Sequence, residues 1–455
     1  MSYAAAQHTF LPFRVPGVAM PRTFTAHPAD IVGYSRLAID AVLGLTDLVE
    51  TEHHNISRAP GILGRPAQGG TRGITGLVYQ SLRGVTKLVG SSLNVGLAPL
   101  LLLDGDAHST PEREAAVAVL NGILGEHLVA TANPLAITMR LRRQGLPLQI
   151  HREALSAAIP KVSRKVLVLV HGLCCNDLQW FRQGHDRWQV LSRDLGYTTA
   201  YLHYNSGRHV SHNGRDFAAL LESLVQQWPV TIKELVIVGH SMGGLVARSA
   251  YHYGRGANHR WPHYLRKLIF VGTPHHGTPL ERWGNLINVG LDLSPYTTAF
   301  ARLGKIRSAG ITDLRYGNLL DEDWNGSDRF AHKRDSRLPL PLPSEVSCYA
   351  LAALKSDRST AVTDARGDGV VPVSSALGRH EDPARALAFL PNHQAVVTGI
   401  NHFDLLRDAA VHQQIRSWLA GRGKRRLRTN AVKKRGMAGL PENQESSTPK
   451  RRKRR

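Results

Sequence analysis

Apolar residues follow two different periods along this chain, and the change falls near residue 146. Upstream the spacing is helical. From Asp30, a suitable N-cap, Tyr34, Leu37, Ala38, Ala41, Leu45 and Leu48 recur on one face up to about Glu52. A Gly/Pro-rich loop over Arg58–Gly73 separates this stripe from a second one. That stripe joins Ile74, Leu77, Val78, Leu82, Val85, Leu88, Val89 and Leu93, with Gln80, Arg83 and Lys87 on the opposite side. Such a helix suits packing on a neighbouring helix, or lying in a membrane interface or on a lipid particle. Ser109-Thr110-Pro111-Glu112 has capping-box spacing, and Val117, Leu120, Ile123, Leu124 and Leu128 carry a third helix onward.

Downstream, short apolar runs replace the helical stripes. Strands are expected at Pro147–His151, Lys165–Val170, Tyr197–Tyr204, Leu235–Val238, Leu268–Val271, Val346–Leu354 and Ala395–Thr398. Helical stretches lie between them, such as Gly214–Gln227 and Leu245–Tyr253, the latter with Arg248 pointing out. Strand–helix alternation implies an α/β fold, a mostly parallel sheet with helices on both faces, and such sheets gather reactive groups at the strands' C-terminal ends. Residues 280–343 break the alternation, which suits a lid or cap insertion above those ends, or a structural decoration. The expected organisation is an irregular N-terminus over 1–29, a helical region over 30–146, an α/β domain over 147–420 and a tail over 421–455. No internal repeat is present.

Charge changes the picture at one end. The tail holds 14 Lys and Arg against Glu442 and Glu445, so a net +12 of the chain's +22 sits there. It has nothing to bury and reads as disordered, either a solvated tail or an attachment to anionic lipid or nucleic acid. No base-reading module accompanies it, so nucleic acid is set aside as a partner. Cys174, Cys175 and Cys348 make no disulfide framework or metal knuckle, which suits a reducing compartment. The first 25 residues carry Pro12, Arg14, Pro16, Pro21 and Arg22 and do not read as a secretory signal. The longest uncharged apolar stretch, Leu88–Leu103, is short for a bilayer span. A cytoplasmic, membrane-associated protein is the expectation.

The chemistry concentrates in five motifs. In ELVIVGHSMGG a buried-strand run ends in Gly239-His240-Ser241-Met242-Gly243, whose glycines permit a strained strand-to-helix turn that presents the Ser241 hydroxyl. A serine needs a histidine to take its proton and a carboxylate to orient that imidazole. Asp368, between two glycines in GDGVVPV, is the first choice for the acid and Asp364 the second. His402 lies between the last expected strand and the last expected helix, after the acid, and is the choice for the base. HGLCCND follows the VLVLV strand, so Leu173 and Met242 are the candidate backbone donors to an oxyanion. The adjacent cysteines read as small packing residues. His275 and His276 in GTPHHGT read as a polar turn shaping the cleft.

In that order, HGLCCND, GHSMGG, GTPHHGT, GDGVVPV and NHFDLL resemble the α/β-hydrolase fold lipases and esterases, in particular a bacterial lipase-like branch related to GPI-inositol deacylases. The resemblance covers about residues 147–420. It implies Ser241 as nucleophile, His402 as base, Asp368 as orienting acid, Leu173 and Met242 as oxyanion donors, and carboxylic-ester hydrolysis through an acyl-enzyme with no cofactor. Some relatives hold calcium through an aspartate after the histidine. Asp404 matches, but no second ligand accompanies it and no metal is assigned. The expected substrate is an acyl ester or lipid, with peripheral membrane or lipid-particle contact through residues 30–105 and the tail. The alternatives are acyl transfer by the same triad, or a lipid-binding protein whose hydrolase core is a scaffold.

Overall fold

A computed structural model of the chain describes residues 27–57, 73–103, 109–181, 187–279, 308–326, 328–329, 335–356 and 367–421. Its centre is an eight-stranded sheet of order β2-β1-β4-β3-β5-β6-β7-β8. The strands are β1 (Arg140–Arg143), β2 (Leu146–Pro147), β3 (Lys165–Val170), β4 (Thr198–His203), β5 (Glu234–His240), β6 (Leu265–Val271), β7 (Ser347–Leu354) and β8 (Gln394–Thr398). From β4 to β8 every neighbour pair is parallel, and β1 joins antiparallel to β4.

Side chains of the central strands alternate between two cores, as the two-residue strand period requires. Val166, Val168, Val170, Ile237 and Phe270 face one core, shared with α6 (Val210–Gln227) and α7 (Met242–Gly256). Leu167, Leu169, Val236, Val238 and Val271 face the other, covered by α5 (Arg187–Asp194) and the C-terminal helix Ala409–Leu419. With both faces covered, β3 and β5 have almost no water-exposed position, which is why they read as unbroken apolar runs. This is an α/β fold, a mostly parallel sheet with helices on both faces.

The first edge departs from expectation. Residues 148–151 form no strand; instead β1 and β2 make a hairpin turned by Gln144 (φ 53°) and Gly145 (φ 78°). Two left-handed residues in succession suit the tight turn that matches strand twist. β1 is Arg-Leu-Arg-Arg, paired with β2 on one side and β4 on the other, and with Leu141 its one apolar residue it shows no apolar run.

Three helices precede the sheet, α1 (Pro28–Ser57), α2 (Gly73–Leu97) and α3 (Pro111–Ala130), and the short α4 (Arg152–Ala158) lies between β2 and β3. Leu37 of α1 packs with Leu120, Ile123, Leu124 and Leu128 of α3 in a third core. Asp30 is not a cap; it lies inside the first turn and pairs with Arg113 at 2.7 Å. The α3 cap is Thr110, one residue after the expected serine, accepting from the Arg113 N–H, while Ser109 accepts from the Arg113 guanidinium. α2 turns Arg83 toward α1 and its apolar stripe outward, the reverse of ordinary packing. Among the described residues no helix is long and apolar enough to cross a membrane.

Glycine spacing fixes the sheet-to-helix join. A Cβ at Gly243 would strike the backbone carbonyl oxygens of Val170 and His171, neither of which can yield without moving β3. We expect Gly243→Ala to cost about 3 kcal/mol. Gly44→Ala in α1, where a Cβ meets nothing within 4 Å, is expected to stabilise by about 0.5–1 kcal/mol. Urea unfolding of the two variants checks both signs.

Candidate active site

Ser241 sits between the last residue of β5 and the first of α7, at φ 55° and ψ −127°. L-residues avoid this region at a cost of about 1–3 kcal/mol, so surrounding contacts must hold it. The Ser241 N–H donates to the Val271 carbonyl at 2.9 Å, pinning the turn to the end of β6. The hydroxyl is buried, and among the described residues it makes no hydrogen bond.

His402 lies on the loop after β8. Its Nδ1 is 2.6 Å from Asp368 Oδ2, and its N–H donates to the Asp368 carbonyl at 3.1 Å. The other carboxylate oxygen, Oδ1, accepts from the Val370 and Val371 N–H groups at 2.9 and 2.8 Å. Asp368 therefore presents one fixed oxygen to the imidazole, and both residues are 2% exposed. Two further contacts bring His402 beside the serine turn. A Cβ on Gly272, the residue after Val271, would lie 3.3 Å from the imidazole, and the His240 ring stands 4.8 Å from the His402 ring. The aspartate–histidine link is formed; the serine–histidine hydrogen bond is not. Such bonds often tighten only when substrate binds.

Leu173 and Met242 flank the same spot. Leu173 follows Gly172, whose absent Cβ would sit 2.9 Å from the Ser241 Cβ. Met242 begins α7, so its N–H is one of the four at a helix start with no acceptor in the helix. Both side chains are buried.

The cysteines beside this turn are held as thiols. Burial drives Cys174 far up and Cys175 up to about 12, so neither offers a thiolate near neutral pH. Cys174 adopts φ 57°, donates its N–H to Ser206 at 3.1 Å, and packs on Gly122 of α3. His276 and the buried His275 lie in the turn after β6. Asp404 accepts from the Asn401 N–H at 3.0 Å. Among the described residues no three His, Cys, Asp or Glu side chains converge on a metal position. Asp364 and residues 280–307 of the expected cap lie outside the described residues.

Several site residues were not legible beforehand. Arg142 of β1 bonds Glu114 of α3 at 2.8 Å and Asp177 at 3.0 Å, while His203 reaches Asp177 at 3.3 Å. This buried group clamps the HGLCCND loop between the N-terminal helices and the sheet. Burial raises the Asp177 pKa, but the His203 hydrogen bond and the Arg142 charge outweigh it and hold the carboxyl below its usual value. Gly122 and Gly125 in α3 were the available signal, since glycine in a helix interior marks close approach; they abut Cys174 and Asn205. Arg248 does not point out as expected. It is buried, bonded to the Leu340 carbonyl and 3.3 Å from His275 Nδ1. Burial, then the nearby Arg337 charge, lowers it from 12.5 to about 9.

Buried histidines give the domain an acid limit. Burial pulls His171, His240 and His275 below the ordinary range, His171 to about 3. An unfolded histidine titrates near 6.5, so their contribution is whole above about pH 6.5 and is lost as pH falls, because only the unfolded chain takes up protons. Each histidine contributes about 1.4 kcal/mol per pH unit there. The urea midpoint is expected to fall between pH 7 and 5; Asp177, held low, weakens only below about pH 4.

Residues 141–314 match the family described as a domain of unknown function, DUF7379. No curated protein matches. Among solved structures, the mature form of a Bacillus licheniformis lipase is 19% identical, covers 57% of this chain and 93% of its own, and has a TM-score of 0.36. A Pyrococcus furiosus esterase is 12% identical over 56% of this chain and 83% of its own, with a TM-score of 0.33. A lipase-esterase related protein from Clostridium acetobutylicum is 16% identical over 56% and 94%, with a TM-score of 0.29.

Proposed function

We propose that the chain is a serine hydrolase that cleaves carboxylic esters with an appreciable apolar part, within the lipase-like branch related to GPI-inositol deacylases. The observation that carries this reading is the 2.6 Å bond between Asp368 and His402 beside a serine at φ 55°. A carboxylate with its second oxygen held by two N–H groups fixes the imidazole's tautomer, which leaves Nε2 as the proton acceptor.

In this mechanism Ser241 Oγ attacks the ester carbonyl carbon and its proton passes to His402 Nε2. The carbonyl oxygen takes up the negative charge and is met by the Leu173 and Met242 N–H groups. The intermediate collapses, the alcohol leaves with the proton from His402, and the acyl group stays on Ser241. Water then repeats the sequence with the same base and releases the acid. Asp368 orients the ring and stabilises the imidazolium.

The reading is tested with nitrophenyl esters of increasing acyl length and a fluorophosphonate probe. Turnover that rises with acyl length, together with labelling, is expected. Failure to turn over any ester and to take the label would remove the reading. Peripheral membrane contact through residues 30–105 and the basic tail belongs to the same proposal.

A further inference from the structure

His240 ends β5 immediately before the serine turn. The two-residue strand period turns its side chain to the same face as Val236 and Val238, toward the loops that carry Trp180 and His402. The residue is 1% exposed. Trp180 stands edge-on to the imidazole at 6.3 Å between ring centroids, the His402 ring lies at 4.8 Å, and a Cβ on Gly172 would come within 3.3 Å of His240 Nδ1. One buried ring is thus enclosed by the loop of the base and the loop of the oxyanion donor, on the residue that adjoins the nucleophile.

The ring makes one directed bond. His240 Nε2 is 3.2 Å from the His402 carbonyl oxygen, and a carbonyl only accepts, so Nε2 carries the proton. Burial, then the neighbouring His402, holds the pKa of His240 well below the ordinary value, so the ring is neutral near pH 7 and Nδ1 is bare. Nδ1 has no hydrogen-bond partner among the described residues. Burying an unpaired ring nitrogen is costly, so packing alone does not favour histidine at this position. The bond from Nε2 is what an apolar side chain of the same size could not supply.

We infer that His240 is a positioning residue that sets the distance from His402 to Ser241, an inference that rests on the ester-hydrolase reading. Asp368 grips the base twice, at Nδ1 (2.6 Å) and at the backbone N–H (3.1 Å). Those two bonds join acid and base into one unit and fix the tautomer. The bond from His240 to the His402 carbonyl ties that unit to β5, and because His240 and Ser241 are consecutive, it ties the base to the nucleophile. His240 touches no reacting atom and acts through His402. A displacement of about 1 Å between reacting groups can cost about 100-fold in rate, so loss of the tie is read in turnover.

The experiment compares His240→Gln, His240→Asn and His240→Met with the wild-type full chain on a short soluble nitrophenyl ester. Glutamine carries its NH₂ group to the reach of Nε2, asparagine only to that of Nδ1, and methionine fills the space with no donor. Turnover is expressed per chain that takes the fluorophosphonate label at completion, so unfolded protein is not counted. The methionine and asparagine variants are expected to lose about 10- to 100-fold in kcat. Their KM should hold, because acylation and deacylation use the same base and slow together. The glutamine variant should lie closer to the wild type than to either. Wild-type kcat in the methionine or asparagine variant overturns the inference. Equal losses in all three also overturn it, since the histidine would then be a packing residue. A wild-type chain that turns over no ester removes the ester-hydrolase reading and this inference with it, whereas an active wild-type chain with either of the other results removes this inference alone.

Discussion

Replacing Ser241 with alanine is expected to lower ester turnover by at least about 10⁴-fold while leaving thermal stability close to that of the wild-type chain. The chemical loss is complete because no other hydroxyl occupies the turn. The stability is kept because Ser241 Oγ makes no hydrogen bond among the described residues, and alanine suffers the same strain at φ 55°. Ser241→Gly separates the two effects. It removes the same nucleophile but adopts positive φ without strain, so its melting temperature should exceed that of the alanine variant. Equal melting temperatures would mean that the turn stores no strain.

Asp368→Asn is the second large effect, with turnover falling by about 10⁴-fold. The Val370 and Val371 N–H groups require an acceptor, so the amide oxygen turns toward them and the NH₂ group faces His402 Nδ1. That donor forces the imidazole proton onto Nε2, where it can no longer accept from serine. Fold and substrate binding stay, so kcat drops with little change in KM. A loss below tenfold would place the orienting acid elsewhere and bring Asp364 back into consideration.

The turn at Ser241, the meeting of Asp368 with His402 and the central strands were legible in the sequence for one reason: each carries its own local signal. β3 and β5 are buried on both faces, so composition alone marks them. The turn at Ser241 needs glycines at fixed offsets, and Asp368 and His402 follow in order after strand-like runs. What escaped depends on contacts between distant segments. Arg248 reads as a surface residue at helical spacing, and only the meeting of α7 with Leu340 and His275 buries it. The outward stripe of α2 is amphipathic in sequence, and amphipathicity gives no direction; the ion pairs of Arg83 with α1 decide it. β1 has too few apolar positions to announce a strand, and its Arg142 acquires meaning through Glu114, 28 residues before it, and Asp177, 35 residues after it. The Arg142 cluster also ties the N-terminal helices to the loop that carries Leu173, a connection absent from every motif.

The central claim is that Ser241 is the group that takes the acyl chain, and mapping a covalent adduct tests it most directly. After reaction with a nitrophenyl phosphate diester, peptide mass spectrometry should find one phosphoryl group per chain, on the peptide containing Ser241, and none in Ser241→Ala. Modification at a different residue, or an unmodified wild-type chain under conditions where it hydrolyses esters, would contradict the account.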